Sequence, residues 1–144
     1  MRQDSGVSAQ DSPAGARLAV AAGVVEAATV AVYLALIYFP DGRLGLETLG
    51  IAILLAAPGI AAIASVRAGT VGSRLTLRAG AAGALLSLSY LALFSIGLLV
   101  FVAGMLALLG TVRLAVLADG AAHIRAALVG VGAAVLPWLL ILLR

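Results

Sequence analysis

The sequence predicts an all-α fold, a polytopic bundle of transmembrane helices, and three observations lead to it. First, the 144 residues are 64% hydrophobic and 10% charged, with a mean hydropathy of +1.22; a soluble domain carries about 25% charged residues. Second, a 34-residue stretch from Ala79 to Val112 contains no charged side chain and is bounded by Arg78 and Arg113. As one helix it would be about 50 Å long, against a hydrocarbon core of roughly 30 Å, so it predicts two spans folded back on each other. Third, the arginines stand singly at the ends of apolar segments rather than along one face. That is the pattern of topology signals, and it excludes a nucleic-acid partner despite the net charge of +3.

Taken in order, residues 1–16, with Asp4, Asp11, Ser5, Ser8, Ser12 and Pro13, are too poor in apolar side chains to pack and predict a flexible polar tail. The apolar run that follows is longer than the roughly 7–15 residues of a secretory signal core, which predicts a retained anchor. Residues 17–144 form the transmembrane domain. Span 1 covers about 17–39 and stops at Pro40-Asp41-Gly42, where Pro fixes φ and Gly permits a turn. Span 2 covers about 46–66. A polar, glycine-bearing loop from Arg67 to Arg74 then reaches Arg78. Span 3 covers about 79–94, with the reversal at Ser95-Ile96-Gly97, the turn-competent residues near the middle of the long apolar run. Span 4 covers about 97–117 and span 5 about 124–143.

Arginine placement tests the count of five. With the N-terminus cytoplasmic, one face collects Arg2, Arg17, Arg67, Arg74, Arg78, Arg113 and Arg125, and the other only Arg43 and Arg144. Four spans, the alternative, would move Arg113 and Arg125 across and weaken the bias that the positive-inside rule requires. The expected location is therefore a cell membrane, crossed several times, and a bacterial inner membrane in particular. Nine arginines and no lysine fit a GC-rich genome.

Missing residue types narrow the function. No Cys means no disulfide, thiolate metal site, thioether-linked haem or cysteine nucleophile. The absence of Lys removes Schiff-base chemistry and the P-loop lysine, and the absence of Asn removes N-glycosylation. There is no glycine-rich phosphate loop, HExxH helix or GxSxG elbow. No enzyme activity, cofactor or metal is expected.

Chemistry-bearing candidates are few. Glu26 is the one acidic or basic residue away from the ends of a predicted span, and it lies about 13 Å beyond Arg17 along the helix, near the middle of the bilayer. A carboxylate facing lipid there is costly, so Glu26 should face the protein and hold a proton or a partner. Thr29 and Tyr33 share its helix face. Ser87 and Tyr90 of span 3 fall at the same depth, which predicts a hydrogen bond from one of them to Glu26. Asp119 and His123 are i, i+4 neighbours and could form an ion pair or a two-ligand metal contact, but no third ligand is near. Pro58 and Pro137 predict kinks within spans 2 and 5. Small-xxx-small spacings at Ala19-Gly23, Gly80-Ala84 and Gly130-Ala134 predict close helix packing. Trp138 and Tyr38 fit an aromatic belt at one interface.

The expectation for function is a small integral membrane protein without catalysis, a structural or accessory subunit of a membrane assembly. Its partners would be the lipid bilayer and other membrane-protein subunits or further copies of itself. The alternative is a small oligomeric transporter or channel with Glu26 as its proton or cation site.

Overall fold

The computed structural model, which describes residues 13–41, 43, 45–92 and 96–143, contains five helices and, among those residues, no strand. They are α1 (Pro13–Asp41), α2 (Leu46–Arg67), α3 (Val71–Leu91), α4 (Gly97–Ala115) and α5 (Gly120–Leu142). Four of them, α1, α2, α4 and α5, are long and apolar enough to cross a membrane on their own. The chain is a multi-pass helical bundle.

Helix ends follow local chemistry. α1 starts at Pro13, a residue pre-set for the first turn, so the helix already includes the last four residues of the expected polar tail; the rest of that tail lies outside the described residues. α2 matches its expected range to within one residue, and runs unbroken through Pro58. α4 ends two residues early, at Ala115. α5 begins four residues early because Asp119 caps it, its side chain accepting from the Ala122 N–H at 2.8 Å.

The largest departure from expectation is the start of α3. The segment expected as a loop to Arg78 is helical from Val71 onward. Thr70 caps the first turn by accepting from the Ser73 N–H at 3.1 Å, and Arg74 Nε closes the approach by donating to the Ala68 carbonyl at 2.7 Å. Two arginines that read as loop markers therefore belong to the helix. Ser95 lies outside the described residues; α3 ends at Leu91, three residues before the expected end of span 3, while α4 begins at Gly97 as expected. Gly97 is required there, since a Cβ would stand 2.5 Å from the Ser89 carbonyl oxygen.

What separates the inside of this bundle from its outside is side-chain size rather than polarity. The buried positions include Ala19, Ala22, Ala52, Ala62, Ala81, Ala82, Ala103 and Ala107, while Leu36, Ile53, Leu98 and Leu128 are more than 60% exposed. Water would not tolerate that surface, but lipid does, and small residues inside let the backbones come close enough for dispersion and weak polar contacts to hold them.

α3 is the hub. It packs most extensively on α5 and α4 and also on α2, while α1 packs on α2 and α4. Gly23 of α1 meets Ile63 and the Gly59 carbonyl of α2, and Gly83 of α3 lies directly against the Gly130 carbonyl of α5. α5 is held from outside the α1–α4 core, with only Ala122, Ala126 and Pro137 buried along it. Glycines of two of the spacings singled out above, Gly23 and Gly130, are thus used at real contacts, and Gly80 stands against Val129 of α5.

Candidate intramembrane polar site

Glu26 is completely buried on α1, about 20 Å from the start of that helix. Its neighbour is α2: the Glu26 Cβ and Cγ lie 3.0 Å from where a Cβ on Gly59 would be. A side chain there would crowd the stem of the acid more tightly than ordinary van der Waals contact. Pro58, buried beside Gly59, cannot donate a backbone N–H, so the ladder of α2 is one bond short on the same stretch that meets Glu26. Around them lies an apolar core drawn from all four inner helices, including Ala22, Leu55, Leu85 and Val100.

The expected hydrogen bond does not form. Neither Glu26 Oε1 nor Oε2, nor the Ser87 Oγ, has a hydrogen-bond partner among the described residues. Ser87 is buried about 24 Å into α3, a depth comparable to that of Glu26, but α1 and α3 are not principal neighbours. Tyr90 is 66% exposed and packs against Trp138 of α5, ring centroids 5.5 Å apart. It belongs with Trp138 at the end of the bundle opposite most arginines, in the position of an interfacial aromatic belt. Thr29 is buried and its hydroxyl donates to its own helix, to the Val25 carbonyl at 2.9 Å. Tyr33 is half-buried against the core. Of the five residues expected to form a site, Glu26, Thr29 and Ser87 are buried and Tyr90 stands apart.

A second buried polar group escaped the sequence reading. Arg78 is 0% exposed, the largest fully buried side chain described. Its Nε donates to Ser65 Oγ at 3.1 Å and its Nη1 to the Gly110 carbonyl at 3.3 Å. Ser65 passes the polarity on, donating to the Ala62 carbonyl at 2.6 Å. One guanidinium thereby ties α3 to α2 and α4 at the level where Gly110 meets Leu18 of α1, and the planar fork of Arg suits several acceptors at once. The Arg78 knot and Glu26 are separate: on α2 their contacts, Ser65 and Gly59, stand about 9 Å apart along the axis. A signal for Arg78 was present in the sequence, since Leu75, Arg78, Ala82 and Leu85 share one helical face with small and apolar neighbours.

Asp119 and His123 are not an ion pair. The Asp119 carboxylate is used as a helix cap, and His123 Nδ1 lies 2.7 Å from the Asp119 backbone carbonyl. Among the described residues no group of three or more His, Cys, Asp or Glu could hold a metal ion.

Two clefts lie outside the α1–α4 core. One, of about 350 Å³, runs between α4 and α5 and is lined by small and apolar residues with His123 at one end. The other, of about 390 Å³, lies where α3 begins and α4 turns into α5, and includes Thr70, Asp119 and Arg125. Neither is lined by Glu26, Thr29 or Ser87. No protein-family model, no curated protein and no solved structure matches this chain.

Proposed function

We propose that this protein is a non-catalytic structural or accessory subunit of an assembly in a bacterial inner membrane, with its N-terminus cytoplasmic. The observation that carries the reading is how the interior spends its polar groups. Thr29, Ser65, Ser89 and Thr111 hydroxyls donate to carbonyls three or four residues back in their own helices, and Arg78 binds neighbouring helices together. These are uses that fix packing, and the helices around them are joined by short connections with no room for a soluble catalytic domain. The orientation rests on Arg17, Arg67, Arg74, Arg113 and Arg125 gathering at one end of the bundle.

A second reading has one specific observation in its favour. Both carboxyl oxygens of Glu26 are buried and without a hydrogen-bond partner among the described residues, and intramembrane acids of that kind serve as proton or cation sites in transporters. Proteoliposomes containing the pure protein and a pH-sensitive dye separate the two. No proton flux above that of empty liposomes is expected, and flux that disappears in Glu26→Gln would overturn the subunit reading. Extraction from native membranes in mild detergent is expected to give the chain in fixed stoichiometry with another membrane protein. A chain that elutes alone and monodisperse would count against it.

A further inference from the structure

The cleft between α4 and α5 has a shape that suits one ligand class. Its floor is α3, at Ala79, Ala82 and Gly83, and α4 and α5 form its walls. It exists because α5 is drawn to α3 by the contact of Gly83 with the Gly130 carbonyl, α4 is drawn to α3 by Gly104 lying against Leu85 and Leu86, and the two walls pack mainly on α3 rather than on each other. Along α3 the cleft reaches from Leu75 to Leu86, about 16 Å. That is about half of a hydrocarbon core of roughly 30 Å, the depth of one leaflet.

The end of the cleft that is marked by His123 and Ala115 is the arginine-bearing end of the bundle. Arg17, Arg67, Arg113 and Arg125 are exposed there, and Asp119, the acid nearest the cleft, is engaged as a helix cap. His123 Nδ1 is held by the Asp119 carbonyl. With the proton on that nitrogen, Nε2 is left for whatever stands at the mouth.

From this geometry we infer that the α4–α5 cleft binds one acyl chain of an anionic phospholipid, whose head group lies at the His123 end within the field of the arginines. An open groove of small and apolar residues gives an acyl chain dispersion contacts on three sides instead of one. Each basic residue near the surface favours an anionic lipid by about 1 kcal/mol. The inference does not depend on the subunit reading.

Native mass spectrometry of the intact protein tests it, with phosphatidylglycerol and phosphatidylcholine of identical chains titrated separately. One phosphatidylglycerol per chain should be retained at least about fivefold more strongly than phosphatidylcholine, the factor that corresponds to about 1 kcal/mol. Ala127→Phe and Val131→Trp, two exposed lining positions, should each abolish that adduct. Gly132→Ala, at a position with open space around it, should not. Circular dichroism establishes that the variants stay helical. Retention of the adduct by both filled variants overturns the inference, as does equal retention of the two lipids. A dimer that Ala127→Phe dissociates would assign the cleft to a second copy of the chain and overturn it too.

Discussion

Glu26→Met should make this protein more stable. The side chain is fully buried and neither carboxyl oxygen has a hydrogen-bond partner among the described residues. Burying such a group without a partner costs about 1–3 kcal/mol in proteins, even as the neutral acid. Methionine has the same unbranched stem, which matters because Cβ and Cγ lie 3.0 Å from where a Cβ on Gly59 would be; a leucine would add its branch at that Cγ. Replacement should therefore recover about 1–3 kcal/mol with no offsetting strain. Glu26→Gln keeps a polar group in the same apolar surroundings and should gain little. Thermal unfolding in detergent can be followed through the single tryptophan, Trp138, whose environment is set by Tyr90 across the α3–α5 contact. A Met variant less stable than the parent by more than about 1 kcal/mol would refute the reasoning, because it would mean that the carboxyl group holds something that stabilises the fold.

At the Arg78 knot, Ser65→Ala removes the hydroxyl that accepts from Arg78 Nε at 3.1 Å and should cost about 1.5–3 kcal/mol. Arg78→Met leaves Ser65 bonded to the Ala62 carbonyl and should stay within about 1 kcal/mol of the parent; equal damage from the two variants in a detergent melt would sink this account. Gly83→Ala drives a Cβ into the Gly130 carbonyl and should destabilise by about 1–3 kcal/mol, whereas Gly132→Ala, in open space, should be neutral or gain up to about 1 kcal/mol; chemical denaturation of both reads the difference. The cysteine-free chain also allows a clean topology assay with an impermeant maleimide. Gly45→Cys should label in intact cells and Gly69→Cys only after permeabilisation, and labelling of both from one side would exclude five alternating helices.

Much of the fold is legible in the sequence because lipid imposes a coarse rule that composition obeys. α1, α2, α4 and α5 are long and apolar enough to cross a membrane, and their ends are marked by Pro40-Asp41-Gly42, Arg67, Arg113 and Asp119. α3 breaks the rule. Its first two turns carry Arg74 and Arg78, which hydropathy reads as loop, and only the surrounding helices supply the oxygens that make a buried arginine tolerable. The candidate site was half legible for a related reason. Burial of Glu26 follows from its depth in an apolar run, but its neighbour depends on which helices pack together. In a bundle whose faces are almost uniformly apolar, one sequence does not encode that order, and Gly59 rather than Ser87 or Tyr90 turned out to face the acid. Tyr90 is instead exposed beside Trp138 near one end of the bundle, an arrangement that fits an amphipathic ring at a membrane interface.

The arginines of α3 also constrain how the chain is built. An arginine presented alone to the hydrocarbon interior opposes insertion by up to about 3 kcal/mol, and α3 is the one described helix not apolar enough by composition to cross a membrane on its own. During synthesis it leaves the ribosome after α2, which offers Ser65, but before α4, which offers the Gly110 carbonyl. The Gly110 acceptor becomes available only once α4 has been made, so the buried arginine ties the placement of α3 to that of α4, across the bend that Gly97 closes.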